Sequence, residues 1–425
     1  MLGTPRSVHR FGIFCSQLFA ISSLAVSCQV VAADWPRFLG PTANGIVRDT
    51  GKLVDAFPPA GPKEVWRVEG GAGQSGFAIV EDHCLTMMLA GKQQVLVALN
   101  AKTGETLWQT VVGPNYENSM GGHGPRATPT VSGKEVFAYT GEGILVSADW
   151  KTGKVRWSQN LPESLNIKPA EYGMACSPLV VGDAVVVTVG APVATLAAFQ
   201  RETGKRLWNT GTSTAGYSTP ALLKIAGQEQ IVAVAGKQVL AVQPTSGEIL
   251  WSYPFVTDYD CNSASPIEVA GDVLVSAGEN HGSVRLRVTE VDGKTTVSEV
   301  WESLGGQSVL RSEWQTPLQI DGYIYGFDNV GSAGAVTHLS CVAAKTGELA
   351  WKKTRFGKGN AIFADGKMIA ANMKGELILG KLSPAGYQEL ARAQVIDGTR
   401  QAPALADGKV FLRDNRQFVC IDLSR

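Results

Sequence analysis

Apolar and polar residues alternate along this chain in short runs that small turns interrupt. Between 130 and 159 the pattern is plain. Thr130-Val131 begins a run and Ser132-Gly133-Lys134 turns it. Glu135 to Thr140 alternates, and Gly141-Glu142-Gly143 turns the chain again. Ile144 to Asp149 makes a third run, and Thr152-Gly153 leads into Val155 to Gln159, which carries Trp157. Period-two alternation bounded by glycine turns predicts four antiparallel strands. The last turn and its ring recur as Lys102-Thr103-Gly104 with Trp108, Glu202-Thr203-Gly204 with Trp208, Thr245-Ser246-Gly247 with Trp251 and Lys345-Thr346-Gly347 with Trp351. Each ring follows its glycine by four residues. A sixth copy, Asp292-Gly293-Lys294, reaches Trp301 through extra residues, and a seventh ring, Trp66, has no turn before it.

A second marker opens each unit: Thr128-Pro129, Ser177-Pro178, Thr219-Pro220, Ser265-Pro266, Thr316-Pro317 and Ala402-Pro403, with Ala78 and Ala361 in the same place without the proline. Openings at 78, 129, 178, 220, 266, 317, 361 and 403 give eight units. The expected fold is all-β: an eight-bladed β-propeller with four-stranded antiparallel blades. A solenoid is the competing repeat architecture, usually built from shorter coils or helices. The final unit stops after its third strand, and Glu64-Val65-Trp66-Arg67-Val68 is a fourth strand without partners. N-terminal strand pairing into the last blade would close the ring and remove exposed edges. No convincing amphipathic helix is visible.

Length would suggest two or three domains, but the repeat places 63–425 in one propeller, after an irregular arm at 34–62. The arm opens Asp34-Trp35-Pro36-Arg37-Phe38 and is expected to pack on the body through Trp35 and Phe38. Residues 1–33 read as a signal peptide, with Arg6 and Arg10 before an apolar stretch and Val31-Ala32-Ala33 before Asp34. A buried strand or membrane anchor, and lipid attachment at Cys28, are the other readings. The chain is then exported, periplasmic or secreted. Five scattered cysteines follow (Cys84, Cys176, Cys261, Cys341 and Cys420), with no Cys-x-x-Cys pair. Buried free thiols are expected, one disulfide stays open, and zinc is unsupported. Thirty-eight basic residues balance thirty-eight acidic ones without long runs, which argues against nucleic acid.

The spacing Ala98…Thr103-Gly104…Trp108 resembles the tryptophan-docking repeat of quinoprotein-type propellers. These include pyrroloquinoline-quinone dehydrogenases and scaffold lipoproteins of outer-membrane assembly. Asp34-Trp35-Pro36-Arg37-Phe38-Leu39-Gly40-Pro41 also resembles secreted planctomycete quinoprotein-repeat proteins. The resemblance implies eight blades, with each ring packed on the neighbouring blade. Trp66, Trp108, Trp157, Trp208, Trp251, Trp301 and Trp351 are thereby structural docking residues.

Chemistry is expected in the segments leading into each first strand, which should face the central channel. They supply the ligand-binding candidates His123, Arg126, Tyr172, Tyr217, Asn262, Arg311, Trp314, Gln315, Asn360 and Arg400. Arginines clamp carboxylates and aromatic faces support rings; the plainer reading is that these groups satisfy loop backbones. The quinoprotein alcohol dehydrogenases imply an adjacent Cys-Cys disulfide and a calcium set, and no Cys-Cys or Cys-x-x-Cys-His exists here. Asp258, Asp260 and Asn262 offer oxygen ligands at alternate positions, and His123 a base. Catalytic residues stay unassigned and no metal site is expected. The reading is a non-catalytic exported monomer that binds a protein partner or a small polar or anionic ligand on its channel face. The alternative is a pyrroloquinoline-quinone-dependent alcohol or sugar dehydrogenase using calcium. Polysaccharide hydrolysis lacks a recognisable carboxylate pair.

Overall fold

The computed structural model describes residues 34–425 except 49, 191–193, 293 and 332–335; the expected signal segment lies outside the described residues. The alternating runs become strands, and the strands group into eight sheets. Blades 1 to 7 span 78–114, 130–160, 179–210, 221–254, 267–304, 318–353 and 359–394. Blade 8 takes Ala404–Ala406, Lys409–Arg413 and Gln417–Asp422 from the C-terminus and its outer strand, Lys63–Glu69, from the front of the chain. That pairing sets Trp66 opposite Cys420 and Lys63 opposite Asp422, so the two ends of the chain close the ring.

The rings hold one blade to the next. In every outer strand the register slips by one residue just before the ring. The bulge re-aims the side chain. Trp66 Nε1 donates to the Ala101 carbonyl of blade 1 at 2.9 Å, Trp157 Nε1 to Arg201 of blade 3 at 2.8 Å, and Trp301 Nε1 to Ala344 of blade 6 at 3.0 Å. These three indoles therefore seat on the Thr-Gly turn of the following blade, while Trp351 donates to Ser383 in the turn of blade 7. Gly204 has φ +73°, and a Cβ there would lie 2.7 Å from the Trp157 ring. Glycine is thus required twice, by the left-handed backbone and by the ring above it.

Two blades depart from the rule. The hairpin of blade 5 is longer, and Trp251 donates within its own blade to Gln230 Oε1 at 2.7 Å. In blade 7 the bulge presents Ala391 where the other blades present a ring.

The hydroxyl-proline marker also has an inter-blade role. Gly76 N–H donates to Thr128 Oγ1 (3.1 Å), Thr128 N–H to Ser177 Oγ (3.0 Å), and Ser177 N–H to Thr219 Oγ1 (2.9 Å). Ser265 N–H donates to Thr316 Oγ1 at 3.1 Å. A short polar side chain before the proline accepts the backbone N–H of the preceding blade, around the channel wall. At the closing seam, the buried Arg413 of blade 8 donates to the Gly71 and Met87 carbonyls at 2.6 Å each and lies 4.7 Å over Phe418. Burial lowers its pKa to about 9.

The arm is more ordered than an irregular segment. Trp35 exchanges backbone hydrogen bonds with Ile79 of blade 1, and Pro36 accepts from Val131 of blade 2. Ile46–Val47 then adds as a parallel strand to Phe363 and Ala364 of blade 7. Trp35 is 2% exposed, and Gly40, at φ +78°, packs against its ring. The arm thus crosses the inner strands from one side of the ring to the other.

The linker after blade 2 holds one helical turn, Leu161–Leu165, which buries Leu161 and Leu165. It is too short for its period to show in sequence. Cys84, Cys176, Cys341 and Cys420 are buried and free, and Cys261 is half-buried and free.

Two predictions follow from these contacts. Gly91 and Gly153 both have positive φ, but a Cβ at Gly91 meets nothing while one at Gly153 meets Trp108. Denaturant unfolding should find Gly153→Ala less stable than Gly91→Ala by about 1–3 kcal/mol. Burial opposes ionisation of Asp365, but Lys367, the Leu53 N–H and Lys52 outweigh it and hold the carboxyl at about 2. Burial likewise opposes ionisation of Asp422, and Lys63 and Ser424 hold it at about 2. A depressed carboxyl stabilises fully above its unfolded pKa and loses that contribution as pH falls through the folded one. Between pH ~4 and ~2, hydrogen exchange should accelerate at the Leu53 and Ser424 amides, which donate to these carboxylates, before the inner strands open.

Candidate functional site

In an antiparallel blade the start of the first strand and the hairpin joining the second and third strands share one end. The Thr-Gly turns lie at the other. The lead-in segments therefore converge at the end away from the docked rings. There the channel widens into a cavity of about 780 Å³ that all eight blades line. Trp35, Phe38 and Leu39 of the arm form part of its wall, so the cavity is a recess backed by the arm.

Six of the ten sequence candidates line this cavity: Arg126, Tyr172, Tyr217, Trp314, Asn360 and Arg400. The Gly-His-Gly-Pro-Arg segment folds around its own arginine. Gly122 and Gly124 have φ +84° and +80°, and their carbonyls accept from Arg126 at 2.7 and 2.5 Å. The guanidinium stacks on Tyr116, 4.6 Å from the ring centroid. Arg400 lies 4.7 Å from the centroid of Trp314, and Lys358 Nζ lies 3.9 Å from the same ring. Tyr172 and Tyr217 pack at 5.7 Å, and the Tyr217 hydroxyl accepts from the Tyr172 N–H at 3.2 Å.

Asn262, Arg311 and Gln315 do not line the cavity. Asn262 is fully buried; its amide donates to the Ala235 and Gly236 carbonyls and accepts from Thr257. Arg311 forms a buried fork to Asp328 at 2.6 and 2.9 Å. Gln315 accepts from the Phe327 N–H at 3.1 Å and donates to the Thr316 carbonyl. Their neighbours in sequence point inward while these three hold the loops. His123 is exposed and lines a smaller adjoining recess with Asp397, Asp414 and Arg416.

Other lining residues went unselected in the sequence. Glu313 and Lys358 sit inside segments already singled out, and pair at 2.5 Å. Glu279 and Met373 come from the hairpins between second and third strands; the antiparallel topology was the signal that would have found them. Burial raises the Glu313 pKa, with Lys358 opposing and Glu279 reinforcing. Burial, with Glu279 and Glu313 next, pushes the Cys261 thiol to about 12. Burial lowers both Arg126 and Arg400, and the Arg400 charge adds to the lowering at Arg126. Neither arginine forms an ion pair among the described residues.

The oxygens proposed for calcium do not come together. Asn262 is engaged internally, and Asp260 accepts from Thr214 at 2.8 Å. Among the described residues no cluster of three His, Cys, Asp or Glu is arranged to hold a metal. A calcium-bound quinone does not fit this donor set.

A family model described as outer membrane protein assembly factor BamB matches residues 91–353, more than half of the chain. The chain belongs to this family. The outer membrane protein assembly factor BamB of Yersinia pestis is 22% identical over 316 residues, covering 74% of this chain and 77% of that one. Among solved structures, BamB of Moraxella catarrhalis superposes with a TM-score of 0.60 at 15% identity, covering 85% of this chain and all but 1% of that one (99%). A europium-containing methanol dehydrogenase gives 0.64 at 13% identity, covering 92% and 89%. The quinohemoprotein alcohol dehydrogenase of Comamonas testosteroni gives 0.63 at 13%, covering 92% and 81%. At these identities the structural likeness shows the fold, which the BamB family shares with quinoprotein dehydrogenases. No helix among the described residues is long and apolar enough to cross a membrane.

The two kinds of arginine separate by experiment. Arg311→Ala leaves the buried Asp328 with only Lys352 as a charged partner, at 3.0 Å, and should lower stability by about 1–3 kcal/mol. Arg400→Ala removes a cavity-facing group and should change it by less than about 1 kcal/mol, both read from denaturant midpoints.

Proposed function

We propose that this protein is an exported, non-catalytic β-propeller that binds a protein partner or small polar ligand at its channel face. The observation that carries the reading is the recess itself. All eight blades line it, the arm backs it, and it presents the buried Arg126, the half-buried Arg400 and aromatic faces. Such a concave site with a few convergent polar groups is the usual form of a binding pocket. The relatives named for outer membrane protein assembly support a partner-binding role. A signal at 1–33 would deliver the chain to the periplasm or beyond, soluble or lipid-anchored at Cys28, as a monomer. On this reading Arg126, Tyr172, Tyr217, Trp314, Asn360 and Arg400 are the contact residues, with His123 at the rim.

The aromatic and arginine lining favours one further ligand class, a flat anion such as pyrroloquinoline quinone bound without calcium. Its chemistry would be alcohol or sugar oxidation. Purified protein given the quinone, with and without calcium, should oxidise neither in a dye-linked assay. Photo-crosslinkers at Met120 and Tyr259 on the rim should capture a neighbour in the producing cell. A crosslinker at Val291, at the far end of blade 5, should capture none. Dye reduction would overturn the non-catalytic reading, and capture only at Val291 would move binding off the channel face.

A further inference from the structure

The recess is asymmetric in its chemistry. Arg126 and Arg400 precede blades 2 and 8, and both are cations held partly out of water without an ion pair among the described residues. Arg400 makes no side-chain hydrogen bond there beyond its stacking on Trp314. Arg400 therefore keeps its donor fork, which matches a carboxylate in shape and charge, while Arg126, with one N–H each committed to the Gly122 and Gly124 carbonyls, adds its charge and remaining donors. From Arg126 onward, through the lead-ins of blades 2 to 4, the wall is hydroxylic. Thr128, Ser177 and Thr219 line the cavity, and each oxygen accepts a backbone N–H from the neighbouring blade. None of the three hydroxyls donates to a protein acceptor among the described residues, so each keeps an O–H for whatever occupies the recess.

Glu279 and Glu313 line the blade 5 and blade 6 sides, where Glu313 is paired with Lys358. Two cations without an ion pair among the described residues match one carboxylate, and the hydroxyls of blades 2 to 4 match neutral hydroxyl groups. The ring faces of such a ligand meet Trp314 and the Tyr172–Tyr217 pair.

We propose that the channel recess binds a sugar acid: a single carboxylate on a polyhydroxylated ring, held by Arg126 and Arg400 and donated to by Thr128, Ser177 and Thr219. This deepens the channel-face reading and rests on it. The same chemistry is offered by a free uronic acid and by the uronate end of a polysaccharide.

Calorimetric titration of the full mature chain separates these. The probes are galacturonate, its linear trimer, galactose and citrate. Galacturonate or the trimer should bind at least about tenfold more tightly than galactose and than citrate, a difference of about 1.4 kcal/mol. Binding of the monomer identifies the free acid as sufficient; binding of the trimer alone identifies the polymer end. Arg400→Ala should lose about tenfold in affinity with an unchanged melting temperature, and Arg400→Lys should recover only part of it. Equal binding of galactose, binding of citrate as tight as that of galacturonate, or no heat with either uronate at ~10 mM would overturn the proposal. None of those results touches the channel-face reading, which fails only on the crosslinking result above.

Discussion

Everything in this molecule depends on an indole seated on a left-handed glycine of the next blade. A blade is a small twisted sheet and cannot bury both faces alone. The bulge before each ring turns it out of its own sheet, and the Thr-Gly turn beyond receives it, Nε1 to carbonyl. Large aromatic burial and, where the ring reaches the next turn, a directed hydrogen bond fix the angle between neighbours. Because the ring is circular, its last interface needs the first strand of the chain. Lys63–Glu69 supplies the outer strand of blade 8, and Arg413 stitches that blade to carbonyls entering blade 1.

This docking consumes one end of the propeller and leaves the other free. The rings and their turns lie where third strands meet fourth strands. The lead-ins lie at the opposite end, tied to one another in part by the hydroxyl-to-amide bonds of Thr128, Ser177 and Thr219. Those bonds fix the backbone around the channel while the side chains before them vary. Repetition can thus set the frame while each lead-in contributes a different group to one recess. The arm completes the division by crossing the inner strands and setting Trp35, Phe38 and Leu39 into the cavity wall.

Much of the frame was legible in the sequence, because repetition samples the same geometry many times. The Thr-Gly-to-Trp spacing located blades, turns and the closing strand, including the orphan Trp66. Two features escaped it. The glycine four residues before a ring packs not on that ring but on the ring of the preceding blade, as Gly204 does on Trp157. Trp251 donates to Gln230 within blade 4, and the facing hairpin of blade 5 is longer than the others. Both are relations between repeats, which a pattern within one repeat does not carry.

The recess was legible by segment rather than by residue. The lead-ins were the right place to look, yet Asn262, Arg311 and Gln315 turn away into the fold while Arg126 and Arg400 face the cavity. In a loop, facing is set by individual turns, such as the two positive-φ glycines that bend 122–126 around Arg126. Glu279 and Met373 reach the cavity from hairpins that no motif marks. The most direct measurement of the division between frame and site is amide hydrogen exchange with and without galacturonate. The account predicts added protection in lead-ins 119–128 and 398–403 and none at the Thr-Gly turns of 151–153 and 202–204. Protection spread evenly over both ends, or confined to the turns, would contradict it.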